Sequence, residues 1–210
     1  MLIYIIRHGE TRANVDGIIQ GWNDFPLNEN GRKLAEITGR NMKDIRFDRC
    51  ISSPLIRAKE TAKIVLEESG NSVEIEEDDR IKEISFGDYE LTSTKSPEMT
   101  QFFADPFHCP QFPNGESVQV VMTRTYDFLR ELIERDDGKT CLVATHGCAL
   151  RAMLNPFYED KENYWHGHVP YNCCVNILEA KGGNAKLVAD DRIYYPQELV
   201  ADRYKAEAKR

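Results

Sequence analysis

Two apolar runs in this chain end on the same dipeptide. Leu2 to Ile6 stops at Arg7-His8-Gly9, and Thr140 to Thr145 stops at His146-Gly147. Short, nearly unbroken apolar runs are the pattern of strands buried on both faces, which belong to sheets covered by helices on each side. The segments between them read accordingly. Phe47 to Ile51 is a weaker strand. Ser53 is placed as the N-cap and Pro54 as the first residue of a helix, with Leu55, Ala58, Ala62 and Val65 on one stripe and Arg57 in the first turn. Val118, Val121, Met122, Thr125, Leu129, Leu132 and Ile133 keep helical spacing until Asp136-Asp137-Gly138. Cys173 to Leu178 and Ala185 to Ala189 flank Lys181-Gly182-Gly183-Asn184 as a hairpin. Alternating strands and helices predict an α/β fold, a three-layer α/β/α sandwich around a mostly parallel sheet.

The chain has 210 residues and no internal repeat or linker, which predicts a single domain over residues 1–210. A 41% hydrophobic and 30% charged composition excludes a disordered chain. With 27 Lys and Arg against 35 Asp and Glu, the net charge of −8 repels nucleic acid and anionic lipid, so neither is an expected partner. The run before Arg7 is too short for a signal-peptide core and no stretch reaches the ~20 apolar residues of a membrane span, so a cytoplasmic location is expected. Cys50, Cys109, Cys141, Cys148, Cys173 and Cys174 contain no Cys-x-x-Cys pair and read as reduced thiols.

In open α/β sheets ligands sit beyond the carboxyl ends of the strands. Arg7 with His8, the Ser52 to Arg57 turn, and His146 all fall there. Gly9 and Gly147 are expected to let backbone N–H groups approach a ligand, each with the positive end of a following helix behind it. Two arginines then favour a tetrahedral dianion over a carboxylate. Cationic neighbours also disfavour imidazolium, keeping an imidazole neutral enough to attack phosphorus. A lone histidine in such a place is more often a satisfied core residue. Its pairing with a second histidine and two arginines reverses that.

Arg7-His8-Gly9-Glu10-Thr11 with Asn14, Gln20-Gly21, Asp24-x-Pro26-Leu27, Gly31 and Ser52-Ser53-Pro54-Leu55-x-Arg57-Ala58-x-Glu60-Thr61-Ala62 follow one another along the chain. Glu83-x-x-Phe86-Gly87, Pro113-x-Gly115-Glu116-Ser117 and Thr145-His146-Gly147 continue the series. In this order they resemble the histidine phosphatase superfamily, the phosphoglycerate mutase-like proteins, over roughly residues 3 to 180. The resemblance implies catalysis by His8 as the phosphoryl-accepting nucleophile and Glu83 as the proton donor, with Arg7, Arg57 and His146 as the phosphate clamp. It places Asn14, Gln20, Gly21 and Gly147 in substrate binding and a small cap insertion at about residues 84–116. No metal or other cofactor is implied. The chain departs from many phosphatases of the family at Gly87-Asp88-Tyr89-Glu90-Leu91, where Leu91 stands in place of their glycine.

A mutase must hold a second small acid with extra cations beside the clamp. Between Ile84 and Gly115 the chain offers only Lys95. Phe86, Tyr89, Phe102, Phe103, Phe107 and Phe112 in the same segment either receive a partly apolar leaving group or merely pack the cap. Hydrolysis of a small phosphorylated metabolite is therefore expected, with mutase activity or a non-catalytic binding module as alternatives. A homodimer is left open. His108-Cys109 lacks the arginine of a cysteine phosphatase, and Gly138-Lys139-Thr140 follows a helix rather than a strand, so it is no P-loop. His166-Gly167-His168 has no third ligand at a spacing suited to metal.

Overall fold

A computed structural model describes residues 1–135 and 137–200. Asp136, one of the expected helix-stop residues, lies outside them. Six strands form one sheet in the order β3-β2-β4-β1-β5-β6. These are β1 (Leu2–Arg7), β2 (Arg49–Ser52), β3 (Ile75–Glu77), β4 (Thr140–Thr145), β5 (Val175–Lys181) and β6 (Asn184–Arg192). The first four are parallel, whereas β5 runs antiparallel to β1 and β6 to β5. Gly182 and Gly183, both at positive φ, make the two-residue turn between β5 and β6. The six cysteines are not joined in disulfides.

The buried-on-both-faces strands carry two separate cores. Tyr4, Ile6, Cys50, Leu142 and Ala144 meet Leu34 and Ala35 of α2 (Glu29–Arg40) and Ala58, Ala62 and Val65 of α3 (Ile56–Glu68). On the opposite face Ile3, Ile5, Ile51 and Val143 pack against Leu129 and Leu132 of α5 (Val118–Arg135) and Leu150 and Met153 of α6 (Gly147–Leu154). This is the expected α/β/α sandwich. A third cluster joins Ile84, Phe86, Phe102 and Phe112 to Val118, Val121, Ala149 and Ala152, with Met99 and Phe102 on α4 (Pro97–Ala104). Phe86, Phe102 and Phe112 are buried, and Tyr89, Phe103 and Phe107 pack against them, so these aromatics fill the segment's own core. No helix among the described residues is long and apolar enough to cross a membrane.

Two local readings need correction, and one strand, in an acidic stretch, was not anticipated. The helix carrying Arg57 begins at Ile56, with Leu55 as its cap, rather than at Pro54. Ser53 is drawn elsewhere: its Oγ accepts the Leu55 N–H and contacts His146. The acidic run around Glu76 is the edge strand β3, whose exposed carboxylates at Glu76 and Glu77 pair with Arg49 and Lys59. The helix expected directly after Gly9 is only the short α1 (Arg12–Asp16), beginning behind the cap Thr11.

Backbone contact between the loop after β1 and the start of α2 requires two glycines. A Cβ on Gly31 would lie 2.1 Å from the Glu10 carbonyl oxygen, and one on Gly9 would lie 2.7 Å from that of Gly31. Neither clash can be relieved by turning a side chain. Gly31→Ala is expected to destabilise the fold by about 1–3 kcal/mol, read as a lower urea midpoint. An unchanged midpoint would contradict this packing.

Candidate active site

Parallel pairing of β1 with β4 sets Ile6 opposite Ala144 and Arg7 opposite Thr145, so His8 and His146 leave the sheet side by side. The ladder extends one step further, as the His8 N–H donates to the Thr145 carbonyl at 2.9 Å. The two imidazole centroids are 5.2 Å apart and both residues are buried. His8 Nδ1 lies 2.7 Å from the Gly9 carbonyl oxygen. A carbonyl can only accept, so this contact puts the ring hydrogen on Nδ1 and the lone pair on Nε2.

Two buried guanidinium groups flank the rings. Arg57, fully buried, donates from Nη2 to the Gly21 carbonyl at 2.7 Å and from Nη1 to that of Asn23 at 2.9 Å. Burial pulls its pKa down to about 10, so it remains cationic at neutral pH. Arg7 donates from Nη1 to the Pro170 carbonyl. His146 Nε2 lies 2.8 Å from Ser53 Oγ. Burial, reinforced by the nearby Arg57 and His8, lowers the His146 pKa well below 6.5 and keeps its ring neutral. Arg57 Nε and His146 Nδ1 are buried without a protein partner, and oxygens of a tetrahedral anion would suit both.

Glu83 joins this group from an adjacent segment. Its carboxylate accepts the N–H groups of Ile84 at 3.0 Å, Ala149 at 3.0 Å and Cys148 at 3.3 Å, the last two at the start of α6. The positive end of α6 therefore faces Glu83, where the sequence suggested a ligand. Gly9 also acts differently from expectation. The Gly9 N–H is spent on Thr61 Oγ1, and Gly147 lies beside the Arg7 guanidinium. Asn14 is fixed by a capping box with Thr11, and Gln20 Oε1 accepts from Thr11 Oγ1 at 2.9 Å. Gly21, at φ +52, backs onto Glu90.

Several residues of this neighbourhood escaped the sequence reading. Asn172 donates to the His8 carbonyl at 3.0 Å. Trp22 donates from Nε1 to the Glu83 carbonyl, with the Lys82 ammonium 3.8 Å from its ring centroid. Glu90 accepts the Trp22 and Phe86 N–H groups and so ties the Gln20 to Asn23 loop to the Glu83 segment. Leu91, the departure from the family pattern, sits at φ +66, a conformation that suits glycine better. His166 stacks on Tyr158 and His168 lies near Asp191, and no group of three metal-ligating side chains occurs among the described residues.

The fold and this constellation define an α/β protein that gathers two histidines and two arginines at its strand ends. Residues 3–190 match the histidine phosphatase superfamily (branch 1), and the chain belongs to that family. It is 34% identical over 152 residues to a phosphatase, PhoE, of Bacillus subtilis (strain 168), covering 72% of this chain and 75% of that protein. It is 32% identical over 164 residues to a 2,3-bisphosphoglycerate-dependent phosphoglycerate mutase of Methylobacterium sp. (strain 4-46), covering 73% and 78%. Among solved structures, Bacillus stearothermophilus YhfR superimposes with a TM-score of 0.83 at 30% identity, covering 91% of this chain and 97% of that one. Family relatives thus include both phosphatases and mutases.

The neutral, buried His146 has a consequence for stability. Its folded pKa lies below the unfolded value near 6.5, so above that pH neither state carries the proton and nothing is lost. Below it the unfolded chain binds a proton that the folded chain resists. Wild type is expected to lose about 1.4 kcal/mol more per pH unit than His146→Asn, from pH 6.5 down to the folded-state pKa. Urea unfolding of both proteins at several pH values measures this, and parallel pH slopes would contradict it.

Proposed function

We propose that the chain is a metal-independent phosphomonoesterase that hydrolyses a small phosphorylated metabolite through a phosphohistidine at His8. The observation that carries this reading is the Nδ1 contact of His8 with the Gly9 carbonyl, which directs the lone pair to Nε2 beside two buried cations. Nε2 attacks phosphorus, and the ester P–O bond breaks with its electron pair on the leaving oxygen. That oxygen takes a proton from the Glu83 carboxyl group. Water then attacks phosphorus and gives its proton to the Glu83 carboxylate, as the P–N bond breaks and the lone pair returns to Nε2. The products are an alcohol and inorganic phosphate.

Arg7, Arg57, His146 and Asn14 bind the transferring oxygens, whose charge in the transition state needs fixed donors more than covalent help. Gln20, Gly21 and Gly147 shape the same pocket. Hydrolysis is favoured over phosphoryl shuttling because the segment from Ile84 to Gly115, taken as the cap, offers one cation, the exposed Lys95. The cap aromatics pack one another, so half-exposed Trp22 beside Glu83 is the better apolar contact for a leaving group.

His8→Ala is expected to lower kcat/KM on an aryl phosphate by about 10,000-fold or more, while a chelator leaves the wild-type rate unchanged. Rapid quenching should trap a protein-bound phosphoryl group that survives alkali and is lost in acid. Retained activity in His8→Ala, or loss on chelation, would defeat the mechanism. Faster interconversion of phosphoglycerate isomers than phosphate release would assign the chain to the mutases.

A further inference from the structure

We propose that Arg124, on α5, is a positioning residue that holds Glu83 in register for proton transfer. This rests on the assignment of Glu83 as the acid and base. Arg124 spends all five of its N–H donors on the Glu83 segment and its anchor. Nε and Nη2 make a two-pronged pair with Glu116 at 2.8 Å each. Nη1 donates to the carbonyls of Arg80 at 2.8 Å and Lys82 at 2.7 Å, and Nη2 also reaches the Glu83 carbonyl at 2.9 Å. Glu116 then takes the Ser85 N–H on Oε2 at 2.9 Å, and its own N–H donates to the Ser85 carbonyl at 2.8 Å.

The main chain is thus held on both sides of Glu83 by one guanidinium–carboxylate pair. That pair is mostly shielded from water, with 15% and 14% of its side chains exposed, so its bonds are not diluted as those of a surface pair are. The Glu83 carboxylate is held independently from α6 by the Cys148 and Ala149 N–H groups. α5 therefore fixes the backbone and α6 the acid group, and the carboxyl position depends on both. Lysine cannot replace Arg124 here, because three donors on a single atom cannot span three carbonyls and a carboxylate.

The test compares kcat/KM on two esters. Dinitrophenyl phosphate has a leaving oxygen that departs without a proton, and phenyl phosphate has one that needs it. Arg124→Met is expected to lose about 100-fold on phenyl phosphate and under about threefold on dinitrophenyl phosphate. Arg124→Lys, which keeps the charge and carries the test if the Met variant does not fold, should show the same contrast at about tenfold. Equal loss on both esters, or no loss on either, would overturn the proposal, since a purely structural role lowers both alike. Glu83→Gln run in parallel must show the selective loss. If it does and Arg124→Lys does not, only the role of Arg124 fails; if Glu83→Gln loses both esters equally, the assignment of Glu83 fails and the proposal with it.

Discussion

The pairing of β1 with β4 is the constraint on which the site depends. Because the two strands are parallel and in register from Leu2 opposite Thr140 to Arg7 opposite Thr145, the residues that follow them emerge at one level. A slip of one residue would turn every side chain of β1 to the other face, exchanging the two cores and separating His8 from His146. The apolar filling of both sheet faces therefore fixes the 5.2 Å between the rings.

Around the rings the protein buries positive charge and solvates it with backbone carbonyls. Gly21 and Asn23 serve Arg57 and Pro170 serves Arg7. At Arg57 the carbonyl dipoles meet the donors without themselves cancelling the charge. Burial, reinforced by these cations, keeps His146 neutral. Burial, cation placement and histidine protonation are therefore one electrostatic arrangement.

The carboxylate of Glu83 is near enough to Arg57 for its charge to oppose the burial that lowers the Arg57 pKa. It rests on backbone N–H groups, two of them from α6. The loop from Gln20 to Asn23 reaches the same place through Glu90 and the Trp22 indole. One wall of the site is thus built from segments that touch α6, α5 and each other rather than from a single element. Leu91, beside Glu90, takes a positive φ that residues with side chains rarely adopt, so this wall carries local backbone strain.

The order of elements was legible in the sequence because it is written in local pattern. Periodicity marked α5 and the strands β1 and β4, two glycines marked the β5–β6 turn, and chemistry adjacent to strand ends marked Arg7, His8 and His146. The start of α3 was misread because Ser53 Oγ serves His146, a partner 93 residues away. β3 was hidden because an edge strand can carry exposed glutamates when neighbouring elements, here β2 and α3, supply cations. Glu83 was identifiable only through the family motif. Its contact with Ala149, the hold of Arg124 on its backbone and that of Asn172 on His8 span 66, 41 and 164 residues. Local sequence determined which segments become strand, helix and turn, since those preferences act within a few residues. The tertiary structure alone decided which donors meet Glu83 and which cations surround the histidines, because hydrogen bonds and buried charge depend on distance in space.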